Sequence, residues 1–277
     1  MQQRLLGIVG GMGPQAGVAL HEAIIRHTPA DKDQDHLSVA LMTCPGDIND
    51  RTAFLEGETA TNPATGIIPV VEQLACLGTE VIGMPCNTSH APKIYEPVSE
   101  YIRNHHPHIQ LVHLPDETIK QLGKCFPEHK KVGLMTTNGT FRSGIYQLPL
   151  QRHGYEVVEP DWDFQDQVIH KMIYDKTFGI KANSVDITSE AKQLWNKALG
   201  YFRSRGVDSI ILGCTELSLI QKECPEYYIK LIDTTEILAI AMISEAFKPR
   251  AIERHPTTKT ILKHNPIEKT QYRYELI

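Results

Sequence analysis

The 277-residue sequence has no apolar run approaching the ~20 residues that span a bilayer. It also has no basic excess: 33 Asp and Glu outweigh 28 Lys and Arg, for a net charge of −5. A chain that grips nucleic acid carries surplus positive charge on some face. Neither a membrane nor a nucleic acid is therefore an expected partner. Cys-x-x-Cys is missing too. The six cysteines, at 44, 76, 86, 125, 214 and 224, fall in no disulfide framework and no four-ligand zinc pattern. This reads as a cytoplasmic protein with reduced thiols, most of them small buried hydrophobes. The start carries one arginine, Arg4, and a short apolar run that Gly10 and Gly11 cut off, which does not suit a signal peptide.

What is present is ordinary globular material, 41% hydrophobic and 22% charged. At this length two domains are expected, since domains commonly run ~100–200 residues. Short Val/Ile/Leu runs read as strands at 5–9, 38–42, 81–83, 110–114, 131–135, 156–158, 209–212 and 230–232. Continuous apolar runs of this kind suit parallel strands buried on both faces. Between them, apolar residues at helical spacing predict helices at 17–26, 65–77, 92–104, 164–175, 189–205 and 235–247. The alternation predicts an α/β fold with parallel sheets.

The chain also echoes itself. Gly78 is followed by an acidic residue, an apolar strand and Cys86, then Asn87 and Thr88; Gly206 is followed by the same order and Cys214, then Thr215 and Glu216. Upstream, Leu6-Gly7-Ile8-Val9 matches Val132-Gly133-Leu134-Met135 at nearly the same offset, and His113-Leu114-Pro115-Asp116 weakly matches Leu231-Ile232-Asp233. Three matches in one order predict two similar Rossmann-like parallel-sheet domains related by pseudo-twofold symmetry, with the active site in the cleft between them. The expected division is 1–116 with 233–277 for the first domain and 117–232 for the second.

Each cysteine then lies just past the carboxyl end of a strand, where an α/β sheet places functional groups. A lone cysteine there is usually packing. Two in equivalent places, facing each other, suit the inversion of a carbon stereocentre. That reaction needs a base on one face and an acid on the other, with roles exchanged in reverse. A thiol can serve as either, because its pKa near ~8.5 is tunable. A helix N-terminus after each cysteine would favour the thiolate and hold a carboxylate.

These residues resemble the aspartate/glutamate racemase superfamily over roughly positions 5–245. The resemblance rests on Gly7-Ile8-Val9-Gly10-Gly11-Met12-Gly13-Pro14, on Cys86-Asn87-Thr88 and on Gly213-Cys214-Thr215-Glu216. It implies a racemase that uses no pyridoxal phosphate, no other cofactor and no metal, with Cys86 and Cys214 as the two catalytic groups. The first loop is not the Asp-Ser-Gly of cell-wall glutamate racemases, and Glu216 stands where those enzymes have His. Both features resemble the aspartate racemase branch. So does Asp50-Arg51-Thr52, whose arginine in that branch holds the substrate's side-chain carboxylate, a task suited to a guanidinium. The resemblance further implies Lys171 as a second cation, with Met12, Asn87, Thr88, Thr137, Thr215 and Glu216 completing the substrate site. The implied partner is an acidic amino acid, aspartate with glutamate as the alternative, and the implied assembly is a homodimer.

Other readings are weaker. Gly11-Met12-Gly13-Pro14-Gln15-Ala16 matches a dinucleotide fingerprint, but Pro14 removes an N–H that would cradle the pyrophosphate, and the second strand ends at Thr43-Cys44 without an acidic residue. His105-His106-Pro107-His108 and the Cys86/His90 pair do not complete a metal set. Maleate isomerases and hydantoin racemases share the superfamily scaffold and stay open as alternatives, with a non-catalytic amino-acid binder behind them. Residues 249–277 run past the final expected helix, and their strand-prone end at 272–277 reads as an extension or a strand lent to a partner subunit.

Overall fold

The apolar runs do form strands, and they assemble into two sheets of identical order. The computed structural model describes residues 3–224 and 228–249. In the first sheet β1 (Leu6–Gly10), β2 (Val39–Thr43), β3 (Val81–Gly83) and β4 (Gln110–Leu111) lie in the order β2-β1-β3-β4. In the second, β5 (Lys131–Thr136), β6 (Glu156–Val158), β7 (Ser209–Gly213) and β8 (Lys230–Asp233) lie in the order β6-β5-β7-β8. Every pairing is parallel. The central strands β1, β3 and β7 are buried throughout, whereas the edge strands β2 and β6 are largely half-exposed. Helices cover both faces of each sheet, as apolar parallel strands require. No helix among the described residues is long and apolar enough to cross a membrane.

The fourth expected strand is shorter than its apolar run. It ends at Leu111, and Leu114 opens the Leu114–Cys125 helix with Pro115 in its first turn. Proline suits that place because the first N–H groups of a helix have no partner within it. Pro14 does the same for the Pro14–His27 helix that follows β1, which explains the proline in the glycine-rich loop. That loop also needs Gly11. Its φ is +96°, and a Cβ there would come within 2.9 Å of the Cys44 and Pro45 backbone.

The last described helix, Thr234–Ala246, is buried nearly all round. It packs on the Pro14–His27 and Leu114–Cys125 helices and reaches β3, where a Cβ on Gly83 would meet Met242 Sδ at 2.3 Å. The chain thus crosses from the first sheet to the second and comes back. The extension from 250 onward, with its expected strand at 272–277, lies outside the described residues.

Candidate active site

The equivalent strands β3 and β7 both run out at the same end of the molecule. Past β3, Met84 and Pro85 lead to Cys86 and a tight helical turn, Asn87–His90. Past β7, Cys214 immediately precedes the Thr215–Glu223 helix. Both cysteines are buried, at 7% and 6% exposure, and both line one small cavity. The first half of the chain contributes Met12, Arg51, Cys86, Asn87 and Thr88. The second contributes Thr137, Tyr174, Lys181 and Gly213 to Glu216. A more open space adjoins it and shares Arg51, Lys181 and Glu216.

Local capping explains how the side chains are aimed. Asp50 accepts from Ala53 N at 2.9 Å and starts the Arg51–Glu56 helix, so Arg51 is its first residue. The arginine is buried; one N–H group bonds Asn49 O at 3.2 Å, while its Nε has no partner. A buried unpaired donor is costly, and a carboxylate in the cavity would give it a partner. Burial alone would lower the Arg51 pKa; the Cys86 side chain beside it, then Tyr174 and Asp50, raise it instead above its ordinary value. A permanent cation thus faces Cys86.

Cys214 has the opposite neighbour. Its thiol donates to Glu216 Oε2 at 2.9 Å, and Lys181 Nζ donates to Glu216 Oε1 at 2.5 Å. Burial first, and the Glu216 carboxylate second, push the Cys214 thiol well above its usual value. Burial would raise Glu216 as well. The Lys181 charge, with hydrogen bonds from Cys214 and Lys181, outweighs that and holds the carboxyl below its ordinary range. Tyr174 closes the same side: its hydroxyl bonds Asp50 Oδ2 at 3.1 Å across the two halves.

Several polar groups tie the two halves together. Thr88 Oγ1 lies 3.0 Å from Thr137 Oγ1 and 2.9 Å from Thr140 Oγ1. The Thr215 hydroxyl donates to Pro85 O. The Asn87 amide accepts from Tyr146 at 2.5 Å and donates to Thr234 at 3.2 Å. Gly139 allows this closeness, since a Cβ there would meet Thr52 Oγ1 and Thr88 Cγ2, each at 2.8 Å. His90, four residues after Cys86, is fully buried against Met84 O, Tyr95 and His113; burial, then His113, push its pKa down to about 3. It is a neutral core histidine. Among the described residues no group of three or more His, Cys, Asp or Glu is disposed to hold a metal ion. A larger groove lies elsewhere. Its Asp233 caps the last helix and its Glu236 is paired with Arg26 and His27, so its carboxylates already have structural work.

The profile of the Asp/Glu/hydantoin racemase family matches residues 9–242. The chain belongs to this family. It is 26% identical over 251 residues to the broad specificity amino-acid racemase RacX of Bacillus subtilis, covering 87% of this chain and 97% of the relative. Among solved structures, Picrophilus torridus aspartate racemase is 30% identical with a TM-score of 0.69, covering 90% of this chain and 96% of the other. A putative Asp/Glu racemase from Yersinia pestis is 23% identical with a TM-score of 0.67, covering 88% and 100%, a likeness of fold. Membership makes the chain an amino-acid racemase, an isomerase, in the coarse sense.

Of the residues the sequence singles out, Met12, Arg51, Cys86, Asn87, Thr88, Thr137, Cys214, Thr215 and Glu216 meet at this racemase-family cavity. Lys171 does not. It is exposed, with its ammonium 5.9 Å from the Phe178 ring centre. The lysine at the cavity is Lys181, ten residues on, in a loop that folds back so that Lys181 N bonds Ile173 O at 3.0 Å. Tyr174 and Lys181 are lining side chains that sequence reasoning missed. The irregular segment around Lys181 has no periodicity to mark its side chains as inward-facing.

Proposed function

We propose that the chain interconverts L- and D-aspartate by two-base proton transfer at Cα, with Cys86 and Cys214 on opposite faces of the substrate. The observation that supports this best is the pair of buried thiols, each past an equivalent strand, bordering one cavity. Arg51 and Lys181 suit a side-chain carboxylate. The N-terminus of the Thr215–Glu223 helix suits the α-carboxylate, where positive potential also stabilises the charge that develops as Cα loses its proton. One thiolate takes the Cα proton, and the other thiol returns a proton to the far face. The two thiols carry both transfers, so the proposed chemistry calls for no pyridoxal phosphate. The broad specificity in the name of the Bacillus relative makes a wider substrate range the second reading.

The deciding experiment incubates the purified full-length protein in D2O with L-aspartate and, separately, L-glutamate and a panel of neutral amino acids, without added cofactor. α-Deuterated D-aspartate as the main product is the expected result. Equal exchange across the panel would establish broad specificity instead. No α-exchange with any amino acid would overturn the racemase proposal.

A further inference from the structure

The amide of Asn87, the residue after Cys86, has its orientation dictated from outside the cavity. Thr234 donates its one hydroxyl proton to Leu212 O at 2.9 Å, so toward Asn87 it can only accept, and it takes Asn87 Nδ2 at 3.2 Å. On the other side the Tyr146 hydroxyl donates to Asn87 Oδ1 at 2.5 Å. The hydrogen bonds therefore run one way, from Tyr146 through Asn87 and Thr234 to β7, two residues before Cys214. Tyr146, Asn87 and Thr234 are all buried, and of the three only Asn87 borders the cavity. The Tyr146 ring packs in an apolar cluster with Leu134, Leu150 and Ile211, and it abuts Gly213, where a Cβ would stand 3.5 Å from Tyr146 Cε2. Burial pushes the phenol above its ordinary pKa, so it keeps the proton that it donates. One of the two Asn87 N–H hydrogens goes to Thr234, and the other is left for the cavity.

We propose that Tyr146 is a positioning residue for racemisation: by holding Asn87 Oδ1 from behind, it keeps the free N–H of that amide turned to the substrate's α-carboxylate. The proposal rests on the two-base reading above but not on aspartate, since every amino acid carries that carboxylate. As Cα loses its proton, negative charge spreads onto the α-carboxylate oxygens. A donor preset there is worth more in the transition state than in the ground state, and so acts on kcat. Without the phenol hydroxyl, Asn87 Oδ1 is a buried acceptor with no donor, which is costly. Turning the amide toward the cavity relieves that cost, and it puts a carbonyl oxygen where the N–H stood. The carbonyl repels the charge that the N–H would stabilise. Tyr146 thus acts on the reaction through Asn87, without touching the substrate.

The test is a double-mutant cycle on the full-length protein, read as kcat and KM for the amino acid that the wild-type protein racemises fastest. Asn87→Ala should lower kcat by about 10²–10³-fold, the range for removing one such donor. Tyr146→Phe, which keeps the ring in its cluster, should lower kcat by about tenfold or more while KM stays within about threefold. In the Asn87→Ala background Tyr146→Phe should change kcat by less than about twofold, because the residue it acts through is gone. A phenol that only supported packing would cost the same factor in both backgrounds. Thr234→Val carries the same comparison should Tyr146→Phe not fold, and it too should be silent once Asn87 is alanine. Undiminished kcat in Tyr146→Phe, or losses that multiply in the double variant, would overturn the positioning role and leave the racemase reading standing. A wild-type protein that racemises no amino acid would remove both.

Discussion

Replacing Lys181 by Met separates the electrostatic account of this site from simple packing. In the native chain the Lys181 and Glu216 side chains are 23% and 9% exposed and 2.5 Å apart. Methionine keeps the length of the stem and removes the charge. Glu216 then remains buried without a counter-ion, and breaking a buried pair from one side costs about 3–5 kcal/mol. At ~2 °C or more per kcal/mol for a chain of this size, Tm should fall by at least ~6 °C at pH 8. The loss depends on pH with a definite sign. In the native chain the Glu216 pKa is depressed, so its stabilisation is present above the ordinary carboxylate range and fades as pH falls through the folded value. In Lys181→Met burial dominates and the folded pKa rises. The destabilisation is then absent below the unfolded value and grows as pH climbs through the folded one. Denaturant titration at pH 4 and pH 8 should show a large deficit at pH 8 and little at pH 4. Adding Glu216→Gln should recover most of the pH 8 loss. An equal deficit at both pH values, or a double variant no more stable than the single, would refute the reasoning.

Three further outcomes are expected. Lys171→Ala should leave KM for aspartate within about twofold, whereas Lys181→Ala should raise it at least tenfold, the ~1.4 kcal/mol equivalent of one lost charged contact; steady-state kinetics on both decide which lysine serves the substrate. Gly139→Ala forces a Cβ against Thr52 and Thr88 at 2.8 Å and should cost ~1–3 kcal/mol by overpacking, with a parallel loss of turnover as the two halves separate; unchanged chemical denaturation would count against the close approach. Burial raises Glu159 to about 7, so the stability it permits is full below the unfolded carboxylate pKa and is lost as pH rises through about 7. Glu159→Gln should therefore raise Tm relative to the native chain at pH 8 and leave it unchanged at pH 4.

The parts of this molecule that were legible in the sequence are those with a period or a repeat. Every apolar run expected as a strand contains one, the fourth only over Gln110–Leu111, and the central strands show why: a strand buried on both faces needs nothing but apolar residues. The repeat located Cys86 and Cys214, since equivalent positions in two copies of one topology arrive at equivalent strand ends. The short helices Arg51–Glu56 and Asn138–Ser143 were not legible. At six residues they are too brief to display helical periodicity, and their capping residues, Asp50 and Thr137, read equally well as loop residues. Lys171, which the resemblance pointed to, stands just past a helical stretch where the usual regular turn gives way to a wider one over Gln165–His170. Widening shifts which faces look inward, and the chain supplies its cation from the loop beyond.

The site is not symmetric about its two thiols. The sheets repeat strand for strand, but a cation stands beside Cys86 and a carboxylate beside Cys214. The two enantiomers of an amino acid have equal free energy in solution, so kcat/KM must be the same in both directions whatever the surroundings of each thiol. Under the proposed chemistry the asymmetry cannot bias the equilibrium. It can only divide that shared value differently between kcat and KM for the two enantiomers. A pseudo-symmetric frame therefore suffices to place the two thiols on opposite faces, and the departure from symmetry is free to serve substrate selection. Arg51 and Lys181 come from different halves and converge beside Glu216 on the open side of the cavity. Under the proposed chemistry the frame sets where the proton moves, and this pair of cations sets which side chain is held beside it.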